Sequence, residues 1–330
     1  MGTSRSSCRL LAAVLFAIVL ASCAQNPDTV AVGIGTAAYE NNDAKPYAVM
    51  YRPYAEMAAL AYTDKPFLVN GCPDAGLLRK AGNLTAADWV DNLKRANGWT
   101  CVAGHVGRID CPAGIECVDG LEYHVWRNGC REAVVAFRGT DANEIGDWLT
   151  NFRWFIARPL FDQYDQVQNA IPAEIDKIYK TGCRPRRIIA TGHSLGGGLA
   201  QHAAYSDPRI GYVYAFDPSP VTAFFGVPMP VRSAAAEQLG IDRIYQAGEI
   251  LSLPRYLASG VFPSSQCRPR VRIVRFATVT APSLIERHRM DHMTDGLTML
   301  SKGAKPARLP LGFRTARQCD FAQPDRARGM

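Results

Sequence analysis

Residues 187–205 read RIIATGHSLGGGLAQHAAY. Ile188-Ile189-Ala190 is a short apolar run that suits a buried central strand. Gly192-His193-Ser194-Leu195-Gly196 follows at once, and Leu199, Ala200, Ala203 and Ala204 then recur at helical spacing. Strand, G-x-S-x-G, helix is the order a nucleophile elbow requires. A serine hydroxyl is a poor nucleophile until a base removes its proton. A sharp turn lifts Ser194 above the sheet, where a histidine can reach it. Glycines at 192 and 196 remove side chains that would strike the adjoining strand and helix. The helix start presents N–H groups and positive dipole to a developing oxyanion. A glycine-rich turn carrying a surface serine is the competing account, and the strand-to-helix setting weighs against it.

A second segment, residues 133–155, reads AVVAFRGTDANEIGDWLTNFRWF. With TGHSLGGGLA it resembles the class 3 lipases, the fungal triacylglycerol lipase group of α/β-hydrolases. Both motifs stand in that family's order, and the likeness spans roughly residues 45–300. The resemblance implies an α/β-hydrolase fold, a mostly parallel central sheet flanked by helices. The chain departs most from the family at residues 64–120, which we read as a disulfide-braced insertion. The resemblance further implies that the V-x-x-F-R-G-[ST] strand end builds an oxyanion hole. Its donors would be the backbone N–H groups of Thr140 and Leu195, with the Thr140 hydroxyl as a third. Asp147 and Trp148 would then belong to a lid over the site. A buried core position is the other account of Trp148, and Arg138 and Asp147 are expected in structural ion pairs.

An activated serine needs a histidine, and the histidine needs a carboxylate to fix its tautomer and stabilise its cation. The expected chain order is serine, acid, histidine. His288 and His292 are the two histidines far enough downstream. His202 lies too close, on the helix after the elbow. His193 stands in the elbow itself, where the resemblance gives it a supporting role. His288 is the preferred base, because its H-x-M pattern before an apolar helix is similar to the base segment of bacterial lipase-like chains. His292 is the runner-up; four residues on, it would share a face with His288 on one helix. For the acid, Gly-Glu-Ile-Leu-Ser-Leu-Pro at Glu249 resembles the family's D-x-V-x-x-L-P, with glutamate in place of aspartate. The extra methylene asks for a slightly deeper pocket. Asp217, at the end of the preceding strand, is the rival acid.

These residues describe a serine carboxylic-ester hydrolase working through an acyl-enzyme, with a lipid or ester substrate such as an acyl glyceride. A phospholipase A1 or thioesterase would use the same triad, and a non-catalytic envelope lipoprotein could keep the same fold. No cofactor is called for, calcium is not indicated, and no C-x-x-C spacing of a zinc site occurs.

The 330 residues suffice for one large α/β domain, and 48% hydrophobic with 20% charged residues is ordinary for a globular chain. The net charge of +7 includes Arg5 and Arg9 near the N-terminus, and is too weak to argue for nucleic acid. Residues 1–22 read as a signal peptide: the apolar run Leu10–Ala21 is too short to span a bilayer comfortably. Leu20-Ala21-Ser22-Cys23 resembles the bacterial lipobox, which implies cleavage before Cys23 and a membrane tether through its acyl chains. Ordinary secretion, cleaved near the same small residues, is the alternative. Ala24 stands where an aspartate would retain a lipoprotein in the inner membrane, so the outer membrane is expected. Apart from Cys8 and Cys23, the cysteines are Cys72, Cys101, Cys111, Cys117, Cys130, Cys183, Cys267 and Cys319. An even set in an exported chain reads as disulfides. Proximity favours Cys111–Cys117, and the other pairings stay open.

Along the chain, residues 23–44 read as a flexible tether, 45–301 as the hydrolase domain and 302–330 as a basic tail. Helical periodicity is expected over 47–62 with a break near Pro53, over 84–97 with Thr85 as cap, over 162–180, and over 283–300 as one final helix. Residues 101–117 read as a stapled loop. A hairpin is expected around Arg127-Asn128-Gly129, with further strands over 211–216, 241–247 and 270–278. Phe224 and Phe225 would line an acyl pocket or fill core.

Overall fold

The computed structural model describes residues 44–107, 120–140, 162–252, 255, 268–279, 281 and 283–304, and the backbone of a strand at 29–33. In chain order its elements are β1 (Thr29–Gly33), α1 (Ala44–Leu60), β2 (Leu68–Val69), β3 (Cys72–Pro73), α2 (Ala75–Lys80), α3 (Leu84–Asn97), β4 (Thr100–Gly107), β5 (Leu121–Asn128) and β6 (Glu132–Phe137). There follow α4 (Gln163–Lys180), β7 (Arg187–His193), α5 (Leu195–Ser206), β8 (Ile210–Phe216), α6 (Met229–Ala236), β9 (Gly240–Gln246), β10 (Arg270–Phe276), α7 (Leu284–His288) and α8 (Met290–Ser301).

Strand β6, Glu-Ala-Val-Val-Ala-Phe, shows how the layers are made. Side chains alternate across a strand, and here both sets are apolar. Val134 and Ala136 join a core with α1, α3 and α8. Ala133, Val135 and Phe137 join a second core with α4 and α5. A strand apolar on both faces belongs in the middle of a helix–sheet–helix sandwich. The sheet order is β1-β10-β9-β8-β7-β6-β5-β4. Neighbours from β6 round to β1 pair in parallel, and β4, β5 and β6 pair antiparallel. This strand order, with the nucleophile turn at the carboxyl end of a central parallel strand, is an α/β-hydrolase fold.

Among the described residues, two disulfides brace the fold. Cys72–Cys101 ties the β2–β3 ribbon to β4. Cys130–Cys183 ties the β5–β6 turn to the segment entering β7, where the Arg186 N–H also donates to the Cys130 carbonyl at 3.0 Å. The Cys111–Cys117 pair lies outside the described residues.

Several local expectations are corrected. Residues 29–33, read as part of the tether, form an edge strand beside β10, since Thr-Val-Ala-Val suits a sheet better than its Asn- and Gly-rich flanks suggest. Helix α1 runs unbroken through Pro53. The proline removes one bond, to the carbonyl of Val49, an exposed position where water can take its place. The cap of α3 is Asn83, whose side chain accepts from the Ala86 N–H, and not Thr85. Residues 100–107, read as loop, form β4. The final helix is two helices, with Arg289 extended between them.

One buried polar knot pins this sandwich. Asp242 on β9 accepts from Tyr51 on α1 at 2.8 Å, from Tyr212 on β8 at 3.0 Å, and from Arg272 Nε on β10 at 2.9 Å. Removing one partner of a buried pair leaves the other charge uncompensated, at roughly 3–5 kcal/mol. Asp242→Ala is therefore expected to destabilise the fold by about that amount, read as a lower urea midpoint at unchanged slope. Asp242→Asn, which keeps the acceptor oxygen, is expected to lose less.

Candidate active site

The elbow is held by its backbone. Ser194 has φ 56 and ψ −124, outside the regions L-residues favour. Four hydrogen bonds impose it: the Ser194 N–H donates to Phe216 O at 3.0 Å, and the Ser194 carbonyl accepts from Gly197, Gly198 and Ser219 N–H at 3.0, 3.3 and 2.9 Å. The glycines are steric necessities. A Cβ at Gly139 would sit 2.4 Å from the His193 carbonyl oxygen, and one at Gly196 would sit 2.4 Å from that of Phe137. The end of β6 and the residues after it thus run directly against the elbow. The β6–β7 register pairs Phe137 with Gly192, and Thr140 and Leu195 follow three residues beyond each. Both line one cavity of about 410 Å³, together with Lys65, Arg138, Glu122 and Gln163. Arg138 is paired, as expected, with Asp64 at 3.4 Å and Glu122 at 3.2 Å. Asp147, Trp148 and Cys23 lie outside the described residues.

His288 and Glu249 are brought together. The His288 Nδ1 and a Glu249 oxygen are 2.6 Å apart, both side chains buried. Because an ionised carboxylate only accepts, Nδ1 carries the proton and Nε2 keeps its lone pair. Nε2 is buried with no hydrogen-bond partner. The His288 ring packs 4.6 Å from that of His193, the residue before Ser194. Glu249 also accepts from the Leu251 N–H at 2.8 Å and the Ser252 hydroxyl at 3.0 Å, and it forms a short ion pair with buried Arg255. Burial opposes the Glu249 charge, but Arg255 and the His288 bond outweigh it and hold the carboxyl below its usual range. Burial lowers the His288 pKa, and Glu249 offsets only part of that shift.

His292 does not share a face with His288, because Arg289 interrupts the helix. Its Nδ1 contacts the Glu286 carbonyl at 3.0 Å, and the ring is half-exposed. Asp217 lies beside the pair, wholly buried, with φ 38 at the end of β8. Phe225 is 71% exposed, so it is not core.

Two residues that support the site through His193 and Glu249 were not singled out from sequence, Tyr62 and Arg255. His193 Nε2 donates to the backbone carbonyl of His288 at 2.7 Å, and its Nδ1 accepts from Tyr62 at 2.9 Å. The elbow histidine therefore holds the main chain of the candidate base, and Tyr62, at the end of α1, fixes its tautomer. Burial keeps His193 neutral. Arg255 is the second. An arginine six residues after Glu249 is no signal by itself; only the fold turns it back.

Donor atoms of His193, Asp217 and His288 lie within 4.8 Å of one another, a spacing that could hold a cation. The bonds already made argue against one, since both His193 nitrogens are committed to Tyr62 and to the His288 carbonyl.

A family profile of the Tle-like phospholipase domain matches residues 120–253, less than half of the chain. Comparison with curated proteins found no match. Among solved structures, lipase II from Rhizopus niveus aligns at 17% identity over 64% of this chain and 77% of that one, with a TM-score of 0.38. The M37 lipase aligns at 14% identity over 78% and 94%, with a TM-score of 0.43. An acylaminoacyl peptidase of Pyrococcus horikoshii aligns at 11% identity over 66% and 43%, with a TM-score of 0.30. Likenesses this distant carry no argument about chemistry. On its own strand order and elbow the chain has an α/β-hydrolase fold, and residues 120–253 are similar to the Tle-like phospholipase domain.

Proposed function

We propose that this protein hydrolyses lipid esters, with Ser194 as nucleophile, His288 as base and Glu249 as the orienting acid. The observation that carries the reading is the buried His288–Glu249 pair, its Nε2 without a hydrogen-bond partner and its ring packed on His193, the residue before the strained serine turn. Ser194 Oγ attacks the ester carbonyl while His288 Nε2 takes its proton. The N–H groups of Leu195 and Thr140, with the Thr140 hydroxyl, receive the oxyanion, at about 3 kcal/mol for each donor. His288 returns the proton to the leaving alcohol, and water clears the acyl-enzyme by the same route.

Phospholipid is the favoured substrate class. The profile match supports it. The lipobox-like segment would tether the enzyme through acylated Cys23 at an envelope membrane, probing lipid from close range, and residues 141–150, with Asp147 and Trp148, would cover the site.

Fluorophosphonate labelling tests the chemistry, because it needs an activated serine. The expected result is one adduct, located on Ser194 by peptide mass spectrometry, and release of fatty acid from anionic phospholipid vesicles faster than from triacylglycerol emulsion. A folded, oxidised protein inert to the probe would leave a non-catalytic lipoprotein of this fold as the reading. Faster turnover of triacylglycerol would move the substrate class while keeping the mechanism.

A further inference from the structure

Asp217 has no part in the mechanism above, yet it is built into the same buried cluster. Its backbone N–H donates to Ile244 O at 2.7 Å, which seats it at the carboxyl edge of the sheet. Its Oδ1 accepts from the Gln246 N–H at 2.8 Å and lies 3.6 Å from the Arg255 guanidinium. Its Oδ2 is buried with no hydrogen-bond partner. A carboxyl oxygen of Asp217 is within 4.8 Å of ring nitrogens of both His193 and His288. The charged and titratable groups around it are Glu249, Arg255, Arg275 on β10, His193 and His288. Arg255 thus stands between two carboxyl groups and forms its close pair with only one of them.

We propose that Asp217 is a reserve acid for His288, able to take over the orienting role of Glu249 when that side chain is lost. The inference rests on the triad reading above. Two neighbouring buried carboxyls do not both ionise cheaply. Burial and the Glu249 charge push the Asp217 carboxyl well above its usual range, so Asp217 rests protonated while Glu249 carries the charge. Removing Glu249 deletes the charge that opposes Asp217 and leaves Arg255, 8% exposed, without its close carboxylate. Asp217 then releases one proton to solvent and becomes the counter-charge to Arg255. A side-chain rotation within this cluster turns the unpartnered Oδ2 to the Nδ1–H of His288. The O–H bond of Asp217 is the only covalent bond broken.

The test compares the full chain carrying Glu249→Ala with Glu249→Ala/Asp217→Asn, beside wild type and Ser194→Ala, on a p-nitrophenyl ester across pH. Losing the acid of a triad outright costs on the order of 10⁴-fold in kcat. Glu249→Ala alone is expected to lose only about 10- to 100-fold, and the double variant the full amount. Beyond the His288 limb that both variants share, the single variant's rate should show a further rise with pH as Asp217 ionises, and the double variant should lack that further rise, which a purely structural aspartate would not cause. Single and double variants of equal rate at every pH, both far below wild type, would overturn the reserve acid and leave the triad standing. Both at the wild-type rate would instead sink the triad reading of Glu249, and the proposal with it. Should the alanine variants fail to fold, Glu249→Gln keeps the volume and gives the same comparison.

Discussion

Ser194→Ala is expected to lower kcat on the ester substrates by roughly 10⁶-fold, to the level left by binding and the oxyanion hole alone, and to abolish fluorophosphonate labelling. It is expected to leave the fold intact, because the turn is held by the four backbone bonds to Phe216, Gly197, Gly198 and Ser219 and not by the hydroxyl. The same turn gives a second, independent reading. A non-glycine residue at φ 56 and ψ −124 stores strain of order 1–3 kcal/mol, kept only because the surrounding bonds over-determine it. Ser194→Gly should release that strain. The glycine variant is therefore expected to be as inactive as the alanine variant yet more stable than wild type by about 1 kcal/mol, the gain in the folded state being partly offset by the freer unfolded chain. Urea unfolding of the three proteins separates the cases: alanine near wild type, glycine above both. A glycine variant no more stable than alanine would mean that the turn is not strained, and that the serine is not held poised at a functional cost.

What could be read from the sequence was what the chain decides locally. The elbow is legible because strand, turn and helix fall within nineteen consecutive residues, each with its own signal. The β5–β6 hairpin and helix α4 are legible for the same reason: Asn-Gly marks one, and Asp162 with Asp165 makes the capping box of the other. Distance along the chain hides the rest. Tyr62 and His193 are 131 residues apart, so no window contains the bond between them. The Cys72–Cys101 pair depends on β4 being a strand, and the Cys- and Gly-rich composition around it suggested a loop. Only a motif resemblance ranked Glu249 above Asp217 in the sequence, since each follows a strand that ends at the same edge of the sheet. Their environments separate them: Glu249 has Arg255, Ser252 and the Leu251 N–H around its carboxylate, whereas Asp217 has one full hydrogen bond and an unpartnered oxygen. Pro53 shows the reverse error, a strong local breaker overruled by packing of α1 against the sheet and α8.

The base assignment is where this separation bears hardest on function, and the expected outcome there is one-sided. His288→Ala should cost about as much as Ser194→Ala, because knocking out either member of a serine–histidine pair removes the same step. His292→Ala should stay within a few-fold of wild type. Periodicity put the two rings on one helical face. The extended Arg289 breaks that helix, so His288 ends α7, buried against Glu249 and His193, while His292 opens onto the surface of α8. A pH profile checks the same point without a mutation. A base works only when neutral, so the rate rises as pH climbs through its pKa. Burial lowers the His288 pKa despite the opposing pull of Glu249, so the acid limb of kcat/KM is expected below 6.5, the ordinary histidine value. In His292→Ala the limb should stay in place. If His292→Ala were inactive and His288→Ala active, the proton would have to leave Ser194 toward the surface, and the buried pair would be a structural bond only. If both kept the wild-type rate and limb, neither histidine would be the base, and the serine would need an acceptor from outside this cluster.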